Sequence, residues 1–199
     1  ERVKEVRYQR AETQLWAGRY NEARDGFAAL ADYSDAAQRA ADVDLEISYA
    51  EAARLFKAED YADAVQTYEK LGSFKDSAQK AQEARYAWAQ AEFQAGSYDQ
   101  AESLFQALGD YSDSAEQLQK VVYARNELKY ADAQKLLDVG SYEAAILAFE
   151  QLGDFGDAAQ RVLEITYAWA QERYEAQDYD KAEELFISLG KYSDAADQA

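Results

Sequence analysis

The chain has no cysteine, histidine, proline or methionine, and only nine of its 199 residues are glycine. Without cysteine there is neither a disulfide framework nor a thiolate metal site. Without histidine as well, zinc ligation of the usual kinds and serine–histidine or cysteine–histidine nucleophilic catalysis are absent. The missing proline and scarce glycine exclude collagen-like, linker-like and low-complexity readings. No apolar run approaches the ~18 residues that span a bilayer, and no signal-like segment is present. Basic charge is scarce too: 21 Lys plus Arg stand against 39 Asp plus Glu, a formal net charge of −18. A surface this acidic repels phosphate backbones and anionic lipid, so neither nucleic acid nor a membrane surface is an expected partner.

Dedicated chemistry is equally thin. There is no glycine-rich phosphate loop, no nucleophile elbow and no EF-hand loop. With 39 carboxylates some acid pair is inevitable, so such a pair is no signal of a glycosidase. Neither catalysis nor a cofactor is expected.

What the chain has in abundance is tyrosine, 16 residues, and most of it is periodic. A turn tyrosine recurs at Tyr20, Tyr61, Tyr98, Tyr142 and Tyr179, at intervals of 41, 37, 44 and 37 residues. Recurrence on this scale marks stacked helical units, each burying its apolar face only against its neighbours. The expected fold is all-α, one solenoid domain with repeats near 1–34, 35–75, 76–112, 113–156 and 157–193; residues 194–199 would begin a further helix.

Each unit reads as a helix pair. Residues 1–17 form the first helix A, and Gly18-Arg19-Tyr20 the first turn. Helix B then carries an apolar stripe at i, i+3, i+4 and i+7, as in Ala101, Leu104, Phe105 and Leu108. Leu-Gly stops helix B at Gly72, Gly109, Gly153 and Gly190, with Ala31 at that place in the first repeat. The next Asp (Asp35, Asp76, Asp113, Asp157, Asp194) has Gln, Glu or Asp three residues on, which predicts a capping box that starts the next helix A.

Helix A contains Glu-x-x-Tyr in every repeat, with an alanine three residues later: Ala11, Ala52, Ala89, Ala133 and Ala170. These and the helix B alanines Ala23, Ala64, Ala101, Ala145 and Ala182 would let the two helices approach closely. The spacer from the capping Asp to the helix A tyrosine runs 14, 10, 17 and 10 residues. The additions of four and seven are near one and two helical turns, so they should lengthen helix A in repeats two and four without turning its apolar face. Residues 49–113 and 130–194 match at 31 of 65 positions, which points to duplication of a two-repeat ancestor.

The small residue on helix A, the turn, the helix B alanine and the phenylalanine four residues later resemble the tetratricopeptide repeat. In the third repeat these are Ala89, Gly96-Ser97-Tyr98, Ala101 and Phe105. The chain departs from that pattern in its longer period, in lacking the proline that ends helix B, and in its Leu-Gly-x-aromatic-x-Asp connector. It looks like the tyrosine-rich tetratricopeptide-like arrays of bacterial multidomain proteins, which implies a fragment of a larger protein.

The resemblance implies a right-handed superhelix whose helix A positions line a concave groove for protein or peptide. Those positions are Glu46, Tyr49, Ala53, Phe56 and Lys57 in repeat two, and Glu83, Tyr86, Gln90, Phe93 and Gln94 in repeat three. Repeat four gives Glu127, Tyr130, Gln134, Leu137 and Asp138; repeat five gives Glu164, Tyr167, Gln171, Tyr174 and Glu175. An acidic, aromatic ladder of this kind would hold the Lys or Arg of a basic segment. The bland alternative is that these Glu and Tyr side chains bond each other or a neighbouring repeat. Trp16, Tyr123 and Tyr174 stand outside the recurring or packing slots and are the better candidates for specific contact. A passive spacer, an end-to-end oligomer scaffold and a carbohydrate-binding solenoid are the competing readings.

Overall fold

The computed structural model describes residues 1–192, and the fifth capping position, Asp194, with its partner Asp197, lies outside them. The described residues form ten helices and no strand: α1 (Arg2–Trp16), α2 (Tyr20–Ala28), α3 (Ala36–Lys57), α4 (Tyr61–Leu71), α5 (Ser77–Gln94), α6 (Tyr98–Leu108), α7 (Ser114–Asp138), α8 (Tyr142–Glu150), α9 (Ala158–Glu175) and α10 (Tyr179–Leu189). None of them is long and apolar enough to cross a membrane. The chain forms two compact units, Glu1–Leu118 and Gln119–Ala199. Helices adjacent in sequence pack on one another, α1 through α6 in turn in the first unit and α8 on α9 on α10 in the second.

Helix lengths follow the spacers. α5 and α9 have 18 residues each, α3 has 22 and α7 has 25. The insertions of four and seven residues are absorbed entirely as helix.

Small residues set the closeness of each pair. All five alanines of the odd-numbered helices are fully buried, and their counterparts on the even-numbered helices are at most 2% exposed. Gly26 on α2 extends this rule, because a Cβ there would stand 3.0 Å from that of Ala11. Beside the alanines lies one large aromatic per helix pair: Phe27, Tyr68, Phe105, Phe149 and Phe186 are all buried.

Two local details differ from the expected pattern. Gly72, Gly109 and Gly190 do end their helices at positive φ, but with ψ between −110 and −121°. That is the mirror of the extended region, open to glycine because it lacks a Cβ, and not the left-handed helical well. α8 stops earlier, at Glu150, and Gly153 takes its positive φ in the turn that follows.

The second difference is a correction. Asp35, Asp76 and Asp157 do stand at the N-caps of α3, α5 and α9, yet none makes a side-chain cap bond. Their ψ values of 18 to 23° keep them out of the extended geometry that aims a cap at the first-turn amides. The residues expected to complete the box turn forward instead. Gln38 donates to Asp42, Gln79 to Glu83 and Gln160 to Glu164, each one turn along its own helix.

Candidate functional site

The freed carboxylates are used elsewhere. The hydroxyl of Tyr8 donates to Asp35 at 2.6 Å, Tyr49 to Asp76 at 2.5 Å and Tyr130 to Asp157 at 2.6 Å. Tyr86 donates to Asp113 in the same way. The separation is 27 residues every time, so each tyrosine ties one odd-numbered helix to the start of the next. For Tyr167 the corresponding carboxylate is Asp194, outside the described residues.

The ring of each tyrosine is wedged while its hydroxyl is tied. Tyr8 meets Phe27 edge-on at 5.2 Å and Tyr33 at 6.1 Å, and Tyr49 meets Tyr68 at 5.6 Å and Phe74 at 6.2 Å. Tyr86 and Tyr167 repeat this arrangement with Phe105 and Tyr111, and with Phe186 and Tyr192. Tyr130 keeps the first contact, to Phe149, while Tyr123 takes the connector ring of Phe155 at 5.4 Å. Edge-to-face pairs of this kind add to area burial by about 0.5–1.5 kcal/mol each.

A second pin lies one turn on. Arg39, four residues after Asp35, donates through Nε at 2.9 Å to Glu12, four residues after Tyr8. Arg161 donates to Gln134 at 2.8 Å from the matching positions in the second unit. Each guanidinium also lies over the buried ring of the preceding even-numbered helix, Phe27 at 5.5 Å and Phe149 at 6.0 Å. In the second repeat the glutamate place is taken by Ala53, and Lys80 instead bonds Glu83 in its own helix at 2.6 Å.

These bonds shift the ionisation of their members. Hydrogen bonding to Asp76, then burial, pushes the Tyr49 hydroxyl up to about 12. Tyr8, Tyr86 and Tyr130 are raised for the same leading reason, and the Asp35 and Asp76 carboxyls are held below their ordinary value by the tyrosine hydroxyls. The lowered carboxyls support the fold above pH 3.8, their ordinary value, and that support is lost as pH falls through the depressed folded values. The Tyr49 contribution is complete below pH 10.0 and disappears as pH rises toward about 12. Thermal melts across pH should therefore show a plateau with two falling limbs. Tyr49→Phe is expected to lower the plateau and make the alkaline limb shallower; an unchanged alkaline limb would remove the latch from the account.

The glutamates of Glu-x-x-Tyr are not bonded to their own tyrosines. Glu46 pairs with Lys75, Glu83 with Lys80, and Glu164 with Arg161 at 3.3 Å. Glu127 accepts from Tyr123, which raises that hydroxyl. Gln90 and Gln171 each donate to the tyrosine oxygen one turn back, at 3.1 Å. Phe93 is half-buried against Tyr98.

Each unit carries hollows on its surface, and in each unit one of them takes in nominated side chains. In the first, a cleft of about 540 Å³ is lined by Leu15, Trp16 and Gly18 at the end of α1, Tyr20 on α2, Arg39, Asp42, Val43 and Glu46 on α3, and Phe74 and Lys75 before α5. Trp16 stands on its rim, 86% exposed. Lys75 sits over the ring of Tyr49 at 4.9 Å and of Phe74 at 5.3 Å. In the second unit a hollow of about 300 Å³ is lined by Tyr123, Glu127, Tyr130, Phe155 and Asp157. Of the twenty groove positions that the repeat pattern nominated, Glu46, Glu127 and Tyr130 line one of these hollows; the other seventeen line neither.

Arg39, Asp42 and Lys75 were not nominated from the sequence. For Arg39 a signal did exist, because a cation recurs four residues after the connector Asp at Arg39, Lys80 and Arg161. Tyr174, nominated as a contact residue, is 57% exposed and edge-on to Tyr179 at 5.6 Å. Compared with known proteins, the chain matches no protein-family model, and no curated protein matches its sequence significantly.

Proposed function

We propose that this chain is a non-catalytic scaffold, a right-handed array of five tetratricopeptide-like helix pairs that holds a peptide or protein segment against its odd-numbered helices. The observation that carries this reading is the cleft of the first unit, where an exposed indole, two more aromatic residues and both signs of charge converge. A volume of about 540 Å³ falls in the size range of ligand sites, roughly 300–1,000 Å³, and holds two or three side chains. Exposed, rigid aromatic residues beside a hollow are the usual anchors of recognition. With a net charge of −18 the scaffold favours a basic segment. Individual exposed ion pairs contribute only about 0–1 kcal/mol, so affinity rests on the apolar anchor together with several pairs. The constant latches between successive odd-numbered helices support the reading by keeping that face rigid before a partner arrives.

Selection of a random displayed-peptide library on the immobilised chain tests it. Basic peptides carrying an apolar residue should emerge, and their dissociation constants should weaken at least tenfold on Trp16→Ala, a change at an exposed position that leaves helicity intact. Joint replacement of Glu46, Glu83, Glu127 and Glu164 by Gln should weaken them less. Failure to recover any peptide, or equal affinity for Trp16→Ala, overturns the reading.

A further inference from the structure

Lys75 fills one corner of the first unit. It stands in the connector before α5, paired with Glu46 and lying over the rings of Tyr49 and Phe74. An ammonium over electronegative ring faces, with a carboxylate beside it, is held by both. In the second unit this corner recurs 81 residues on, with the lysine alone missing. Glu127 stands for Glu46, Tyr130 for Tyr49, Phe155 for Phe74 and Asp157 for Asp76, while Gly156 takes the place of Lys75. Both connector residues have positive φ, 49° at Lys75 and 59° at Gly156, as do Ser34 and Ser112 at the same place. A Cβ on Gly156 would meet nothing within 4 Å.

The place that lacks the lysine opens as the hollow of about 300 Å³. A further ring walls it. Tyr123 stands seven residues before the latch tyrosine, where repeats two, three and five have Asp42, Gln79 and Gln160. It is 57% exposed, meets Phe155 edge-on at 5.4 Å and donates to Glu127. The lining therefore offers three aromatic rings and two carboxylates, and no cation. Arg161, one turn into α9, is engaged over Phe149 and with Gln134 and Glu164. The volume lies at the lower end of ligand sites, roughly 300–1,000 Å³, and suits the end of one side chain.

We propose that the hollow between Tyr123, Tyr130 and Phe155 is an ammonium site, taking the lysine side chain of a partner polypeptide where the first unit uses its own Lys75. The scaffold reading supplies the source of that lysine, and the site itself stands on the comparison with Lys75. A neutral aliphatic side chain would bury its carbons there but leave Glu127 and Asp157 without a counter-charge. An ammonium answers both the rings and the carboxylates.

Titration of Nα-acetyl-lysine methylamide into the isotope-labelled chain, followed by two-dimensional NMR, tests this directly. The amide signals of Gly156 and Tyr123 should move saturably. The norleucine counterpart, which lacks only the ammonium, should bind about tenfold more weakly. Gly156→Lys supplies the cation from within and should abolish the response, whereas Gly156→Ser should keep it. Tyr123→Ala, a change at an exposed position, should stay helical and weaken binding about fivefold. Trp16→Ala should leave the response unchanged, so failure of the cleft and failure of this site are told apart. No saturable shift in the second unit overturns the proposal. So does equal affinity for the norleucine compound, undiminished binding by Tyr123→Ala, or a folded Gly156→Lys chain that still binds.

Discussion

Phe105→Ala is expected to cost about 3–5 kcal/mol, because a large ring 1% exposed is removed from a contact with no room to collapse. The physical chain is short. α6 is 11 residues long, too short to persist alone, and it is held by the face that Leu104, Phe105 and Leu108 bury. Phe105 also supports the ring of Tyr86 from 5.8 Å, and Tyr86 in turn holds Asp113 at the entrance to α7. The truncation thus leaves a cavity and loosens the latch, so the loss should exceed that from Tyr86→Phe, which removes only a hydroxyl. Guanidinium unfolding followed by far-ultraviolet circular dichroism measures both. A midpoint for Phe105→Ala no lower than that of Tyr86→Phe would contradict the central place given to this ring.

Ala101→Leu is the second large effect, in the opposite direction of volume. Ala101 is fully buried on α6, as Ala89 is on α5, and the two small side chains permit the close approach of that helix pair. Three added carbons must force the helices apart or leave the leucine in a strained rotamer, at a cost of about 1–3 kcal/mol. The same replacement at Ala107, exposed on the same helix, should stay within about 0.5 kcal/mol of wild type. That comparison holds helix propensity constant. Equal midpoints for the two variants would mean that alanine at position 101 is not set by packing.

The two sites differ in how far the sequence exposed them. Ala101 and Phe105 could be placed in the interior from spacing alone, since an apolar stripe at helical period has only one side to bury. The extra lengths of α3 and α7 were equally legible: insertions near whole helical turns leave an amphipathic face in register, and helix is the one structure that absorbs them so. The cleft beside Trp16 was not legible. It draws on the end of α1, the middle of α3 and the connector before α5, and no linear pattern says that these meet.

The connector Asp marks the boundary between the two kinds of knowledge. By itself the sequence determined that a helix begins there, because Asp followed by Ala or Ser and a helical period is a local signal. Only the tertiary structure decided what its carboxylate does. A capping box and a latch to a tyrosine 27 residues away require the same residue, and the choice is made by backbone angles and by where α2, α4 or α8 returns the chain. Local chemistry fixes which segments become helix, since that needs only neighbours in sequence. Side-chain partners are fixed by distance in space, which exists only once the helix pairs have closed.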